Sequence, residues 1–132
     1  MQFVDANIIL RYIMNDHAEL SPKAKKIIGE NVMETPIEVL CEVVFVLARV
    51  YKVNRKEIAD TLIEFYSNTN CVLPHREAVI RGVEYYGEKN LDFVDCILAG
   101  YCEKEEIVVH TLDNKLEKLL LTIQQASRQE EK

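Results

Sequence analysis

No run of apolar residues in this chain approaches the ~18 that a membrane-spanning helix needs. The first residues also lack the basic-then-apolar pattern of a secretory signal, so the expected location is the cytoplasm. Cysteine is sparse and unpatterned: Cys41, Cys71, Cys96 and Cys102 form no C-x-x-C pair, and the three histidines stand far apart. Those spacings do not suit structural zinc. Each cysteine lies among apolar residues and reads as a small core filler in a reducing compartment. With only four glycines there is no Gly-rich loop to cradle phosphates. No Ser-His-Asp arrangement is visible, and there is no repeat, linker or low-complexity insert.

Positive charge is also in short supply. A net charge of −6 argues against a protein that coats nucleic acid with a broad basic surface, since such binding rests on phosphate neutralisation by Lys and Arg. It leaves room for an enzyme that meets phosphates through bound cations, because clustered carboxylates make the metal-free protein acidic.

What is present describes an ordinary folded domain: 132 residues, 48% hydrophobic and 29% charged, enough to bury a core. Phe3-Val4 begins a short apolar run, and Ile8, Ile9, Tyr12 and Ile13 then give residues 6–14 a helical spacing. Ser21-Pro22 predicts an N-cap with proline at the first helical position, opening a helix over roughly 21–30. Asn31-Val32-Met33 reads as a second strand. Thr35-Pro36-Ile37-Glu38 has the form of a capping box, which decides for helix over 36–51 despite its β-branched residues. Asn54 to Glu57 is a second box, opening a helix to about Phe65. Cys71-Val72-Leu73 reads as a third strand, followed by a helix over 75–87 that Gly87 stops. Asp92 can cap a helix over 93–103. Ile107-Val108-Val109 reads as a fourth strand, with a last helix from about 114. Strands alternating with helices predict one α/β domain over 1–121, a parallel sheet with helices on both faces. Residues 122–132 are expected to form a polar tail, frayed or disordered.

Four acids fall where ligands bind in such sheets, outside the carboxyl ends of the strands. Asp5 follows the first strand and Asp113 the fourth. Asp95 lies in the first turn of one helix, and Glu42 about two turns into another. Asp5 and Asp113 can each be read as helix caps, and Asp95 as an acid favoured by the helix dipole. Glu42 has no local partner: its surroundings along the chain are almost wholly apolar, and a carboxylate buried there is costly unless paired or metal-bound. The other reading is that its helical edge faces water. All four together suit a hard cation such as Mg²⁺ or Mn²⁺, which takes oxygen ligands and can activate water against a phosphodiester.

The order "VDANIIL", "VLCEVVFVL", "LDFVDCILAG" and "TLDNKL" resembles the PIN-domain nucleases, and within them the VapC-type toxins of bacterial and archaeal toxin–antitoxin pairs. The likeness runs from residue 2 to about 119. It implies a three-layer α/β/α domain around a short parallel sheet of four or five strands, and a Mg²⁺- or Mn²⁺-dependent endoribonuclease with one or two ions per chain. By position, Asp5, Glu42 and Asp95 would be the core acidic ligands, and Asp113 the fourth acid. Asn7 matches the polar residue of the opening D-x-N, Thr111 the hydroxyl residue before the fourth acid, and Asp92 an acid often present there. A cognate antitoxin and a homodimer are the partners the resemblance implies, with RNA as substrate. Lys115 departs from the pattern, standing where many relatives carry a further acid. Arg11, one helical turn from Asn7, is either a solvated helix-face residue or a phosphate contact. The rival reading is a non-enzymatic module, an inactive PIN-type scaffold or a receiver-like domain. Against the receiver, proline rather than an acceptor acid follows the third strand.

Overall fold

Two backbone hydrogen bonds hold the first extended segment in place. The Val4 N–H donates to the Glu34 carbonyl at 3.1 Å, and the Glu34 N–H donates to that of Gln2 at 2.8 Å. The partner is β1 (Met33–Glu34), which pairs in parallel with β2 (Cys71–Val72), Met33 opposite Cys71 and Glu34 opposite Val72. Phe3 joins β1 only as a parallel bridge. This is a computed structural model describing residues 1–130, and it divides into a unit over Met1–Pro74 and a second beginning at His75.

In the first unit, α1 (Ala6–Met14), α2 (Leu20–Glu30), α3 (Ile37–Arg49) and α4 (Arg55–Asn68) surround these short strands in sequence. Their apolar stripes supply the buried residues Ile9, Leu40, Val43, Leu47, Ile58 and Leu62. Asn54 caps α4 as expected, accepting from the Glu57 N–H at 2.8 Å. Two other caps differ from expectation. Thr35 does not cap α3: Pro36 holds that position with no side-chain bond. Thr35 is instead fully buried, its hydroxyl accepting from the Tyr66 hydroxyl at 2.9 Å. Burial pushes the Tyr66 phenol well above its ordinary value, and the bond to Thr35 only partly offsets this. Tyr66→Phe is expected to cost about 1 kcal/mol, the net value of one intramolecular hydrogen bond, read as a lower urea midpoint with an unchanged slope.

At α2 the helix starts one residue before Ser21. Glu19 holds the N-cap place without a side-chain bond, and in the turn before it Nδ1 of His17 accepts from the Leu20 N–H at 2.9 Å and the Glu19 N–H at 3.3 Å, while Ser21 Oγ accepts from the His17 N–H at 3.1 Å. A hydroxyl beside proline is a common cap signal, but here it serves the turn before the helix.

The second unit is helical: α5 (Arg76–Glu88), α6 (Phe93–Glu105) and α7 (Asn114–Glu130). Gly87 does not stop α5, which runs one residue further before an extended Lys89. Helices α5 and α6 cross at two glycines. A β-carbon on Gly100 would stand 2.1 Å from the Ala78 carbonyl oxygen, and one on Gly82 would stand 2.8 Å from the Ile97 α-carbon. Across the same pair, Glu103 accepts from Arg81 Nε at 2.8 Å and from the Tyr85 hydroxyl, and the Arg81 guanidinium lies 4.0 Å from the Tyr85 ring centre. Burial works to raise the Glu103 carboxyl, but those bonds prevail and leave it below its usual range. Burial and Glu103 together push the Tyr85 phenol up to about 12.

The α/β class holds, but the expected four- or five-stranded sheet does not form among the described residues. Ile107-Val108-Val109 is not a strand: it makes no ladder hydrogen bond, and Val108 is 69% exposed. β-Branched residues favour extended backbone, yet a strand also needs a neighbour to take its N–H and C=O groups. The end of the chain differs too. Beyond residue 121, α7 continues to Glu130 with Ile123 buried below Leu119 and Leu120, and residues 131–132 of the expected tail lie outside the described residues.

Candidate functional site

Asp5 ends the first extended segment and caps α1, its Oδ1 accepting from the Ile8 N–H at 3.2 Å. Its other oxygen has no hydrogen-bond partner among the described residues, and the residue is exposed. Asn7 lies on the exposed side of the first helical turn. Arg11, one turn on, is neither free nor fully solvated. It pairs with Asp16 at 3.4 Å, while its Nε is buried without a hydrogen-bond partner.

Glu42 is on α3, whose buried side is formed by Leu40, Val43, Val44 and Leu47. The carboxylate itself is exposed, beside an exposed Phe45. The expectation of a carboxylate enclosed by apolar residues is therefore corrected. A helix with an apolar sequence on three sides can still turn its fourth to water, and spacing alone does not say which side carries the acid. Burial no longer argues for Glu42 as a ligand; an exposed carboxylate is available to one.

Three acids come together in the second unit. Asp113 caps α7, accepting from the Leu116 N–H at 2.9 Å, and its own N–H is held by Thr111 Oγ1 at 3.0 Å. Thr111 thus positions Asp113. Asp92 occupies the N-cap place of α6 but its side chain makes no capping bond. Asp95, one turn in, is half-buried, and its carboxyl is raised above the usual range by burial first, then by Asp113, then by Asp92. Repulsion of that kind falls off with distance, so the three carboxylates form one anionic cluster. Among the described residues no lysine or arginine pairs with any of them.

The donor set fits a hard divalent cation: oxygen ligands only, pre-positioned by helix starts, with charge that a cation would offset. Within neither unit do three His, Cys, Asp or Glu side chains of the described residues close into a ready cage. Mg²⁺ does not require one, since it keeps several waters and is held by one or two carboxylates together with substrate phosphate.

Of the other titratable groups, His75 bonds Glu105 through Nδ1 at 2.9 Å. Cys71, Cys96 and Cys102 are buried and Cys41 is half-buried, and none of the four is in a disulfide. Sequence reasoning singles out Lys115 but not its nearness to Lys89, which with Lys118 lines one hollow; that nearness depends on a turn over residues 89–91 that no spacing rule reports.

The PIN-domain family model matches residues 3–119, nearly nine-tenths of the chain, and the chain belongs to that family. Domains of this kind are commonly nucleases that depend on divalent metals. No curated protein and no solved structure gives a significant match. No helix among the described residues is long and apolar enough to cross a membrane.

Proposed function

We propose that this chain is a Mg²⁺- or Mn²⁺-dependent endoribonuclease, with Asp5, Glu42, Asp95 and Asp113 as its metal ligands. The observation that carries the reading is the uncompensated cluster of Asp92, Asp95 and Asp113 in a member of the PIN-domain family. A bound divalent ion would supply an activated water and neutralise charge on the departing oxygen. The chain's own part is to hold the carboxylates still. Asp113 is fixed by the α7 start and Thr111, Asp95 by the first turn of α6, and Asp5 by the α1 start. Asn7 and Arg11 follow Asp5 on α1, and we assign them to substrate contact rather than metal binding.

The role we assign is toxin of a toxin–antitoxin pair, acting in the cytoplasm as a homodimer and restrained by a cognate antitoxin. It rests on the order and intervals of the four motifs across residues 2–119. A neighbouring small reading frame encoding a DNA-binding partner is the expected genomic setting. Coexpression with that partner should restore growth that the chain alone arrests.

Asp5→Asn separates metal binding from folding. Asparagine can still accept the Ile8 N–H, so stability should stay within a few tenths of a kcal/mol, while RNA cleavage falls by about a hundredfold or more as a ligand charge is lost. Calorimetric titration with Mn²⁺ should lose its signal in parallel. Full cleavage by Asp5→Asn would leave Asp5 as a cap and nothing more.

A further inference from the structure

The strongest feature outside the carboxylate cluster is a cationic hollow in an acidic protein. Lys89, Asn90 and Leu91, from the turn between α5 and α6, face Lys115, Lys118 and Leu119 on α7 across a hollow of about 300 Å³, with Thr122 at its end. Leu91 and Leu119 are buried and form an apolar floor; the three lysines and Asn90 stand exposed around it. None of the three ammonium groups has an ion pair among the described residues. Lys115 and Lys118, one turn apart, also line a second hollow of about 350 Å³ on their other side, so they form a ridge between two concavities.

Both walls lead to the acids. Leu91 is followed by Asp92, and Lys115 comes two residues after Asp113. In a chain with a net charge of −6, these three cations without ion pairs lie close along the chain to Asp92 and Asp113. Lysine serves as a mobile point charge for phosphate, and an apolar floor under a cationic rim suits a nucleotide, base or ribose below and phosphate above.

We propose that the Lys89–Lys115–Lys118 hollow is a subsite for the backbone of single-stranded RNA, holding the phosphates that flank the scissile bond. This rests on the endoribonuclease reading for its substrate.

The test is binding of a fluorescent single-stranded RNA oligonucleotide by the full chain in EDTA, titrated over ionic strength, for wild type and for Lys89→Gln/Lys115→Gln/Lys118→Gln. All three positions are exposed, and a matching circular dichroism spectrum checks the fold. The variant is expected to bind about tenfold or more weakly at low salt. The slope of log affinity against log salt should flatten by about 2, near 0.7 for each phosphate that is no longer neutralised. Lys23→Gln/Lys25→Gln/Lys26→Gln, which removes the same charge from α2, should change the affinity less than threefold. An equal weakening in both triple variants would reduce the hollow to general electrostatics and overturn the proposal. So would an unchanged slope in the first variant, or a wild type that does not bind RNA. Hydrolysis of a small phosphodiester with Mn²⁺ separates the two readings. Retained in the lysine variant, it supports a subsite distinct from the chemistry. If it is absent from wild type while lysine-dependent RNA binding persists, the nuclease reading fails and the hollow stands as an RNA-backbone site with no scissile bond beside it.

Discussion

Asp95→Asn is expected to remove metal-dependent RNA cleavage, by about a hundredfold or more, and at the same time to make the metal-free protein more stable. The two effects have one cause. Asp95 is half-buried and sits beside Asp113 and Asp92, so its ionised form is disfavoured in the folded chain. A carboxyl whose value is raised on folding holds its proton more tightly folded than unfolded. Its contribution to stability is therefore full at low pH and is lost as pH rises through the folded value. At neutral pH the wild type carries that penalty and the Asn variant does not. The benefit of an acid in the first turn of α6, about 0.3–1 kcal/mol, is lost in the variant, and relief from burial and from two neighbouring acids is expected to exceed it. Urea melts in EDTA should give the variant the higher midpoint at pH 7, with the two curves converging as pH falls into the carboxylate range. A lower midpoint for the variant at pH 7 would mean that Asp95 is a structural acid, not a ligand held under strain. With saturating Mn²⁺ the order should reverse, because only the wild type gains binding energy.

The second large effect is on the fold. Gly100→Ala should destabilise the chain by about 3 kcal/mol, the upper end for overpacking, because the new methyl meets the Ala78 carbonyl oxygen at 2.1 Å. That neighbour is backbone and cannot rotate aside, so α6 must move away from α5. Gly82→Ala meets Ile97, partly through a flexible side-chain end, and should cost less. Gly29 is the control: a β-carbon there touches nothing within 4 Å, and Gly29→Ala on α2 should stabilise by about 0.5–1 kcal/mol. Chemical denaturation of the three variants orders them. Equal midpoints for Gly100→Ala and wild type would show that the α5–α6 crossing is wider than this close approach implies. Since α6 also carries Asp95, a surviving Gly100→Ala chain should cleave RNA less well than its folded fraction predicts.

How much of the fold and site is legible in the sequence depends on what each element needs. Helix α1 and the Asn54 cap read directly, because an apolar period and a cap are local. The second and third expected strands fall at about the expected places, since Met33 and Cys71 are buried in short apolar runs, while the first segment makes only a bridge at Phe3. The fourth fails because Ile107-Val108-Val109 has strand composition without a strand's neighbour, and composition does not report neighbours. Thr35 misleads for a related reason: a hydroxyl before proline signals a cap, but Tyr66, distant in sequence, reaches it first. Among the acids, capping by Asp5 and Asp113 and the first-turn place of Asp95 all follow from their positions. Exposure of Glu42 does not, because the apolar character of a helix is an average and does not place one side chain. The lysine hollow is out of reach, as it joins residues 89 and 115 through tertiary packing alone.

The double use of Asp5 and Asp113 has a consequence for how activity can be lost. Each turns one carboxylate oxygen toward a helix start, a duty that an amide oxygen performs equally well. Exchange of either acid for its amide is therefore expected to leave the scaffold and the lysine hollow intact while, on the proposed function, it removes a metal ligand. On the proposed function, an inert copy made this way should compete with the active one for RNA, so that a single nucleotide change turns the proposed nuclease into its own decoy.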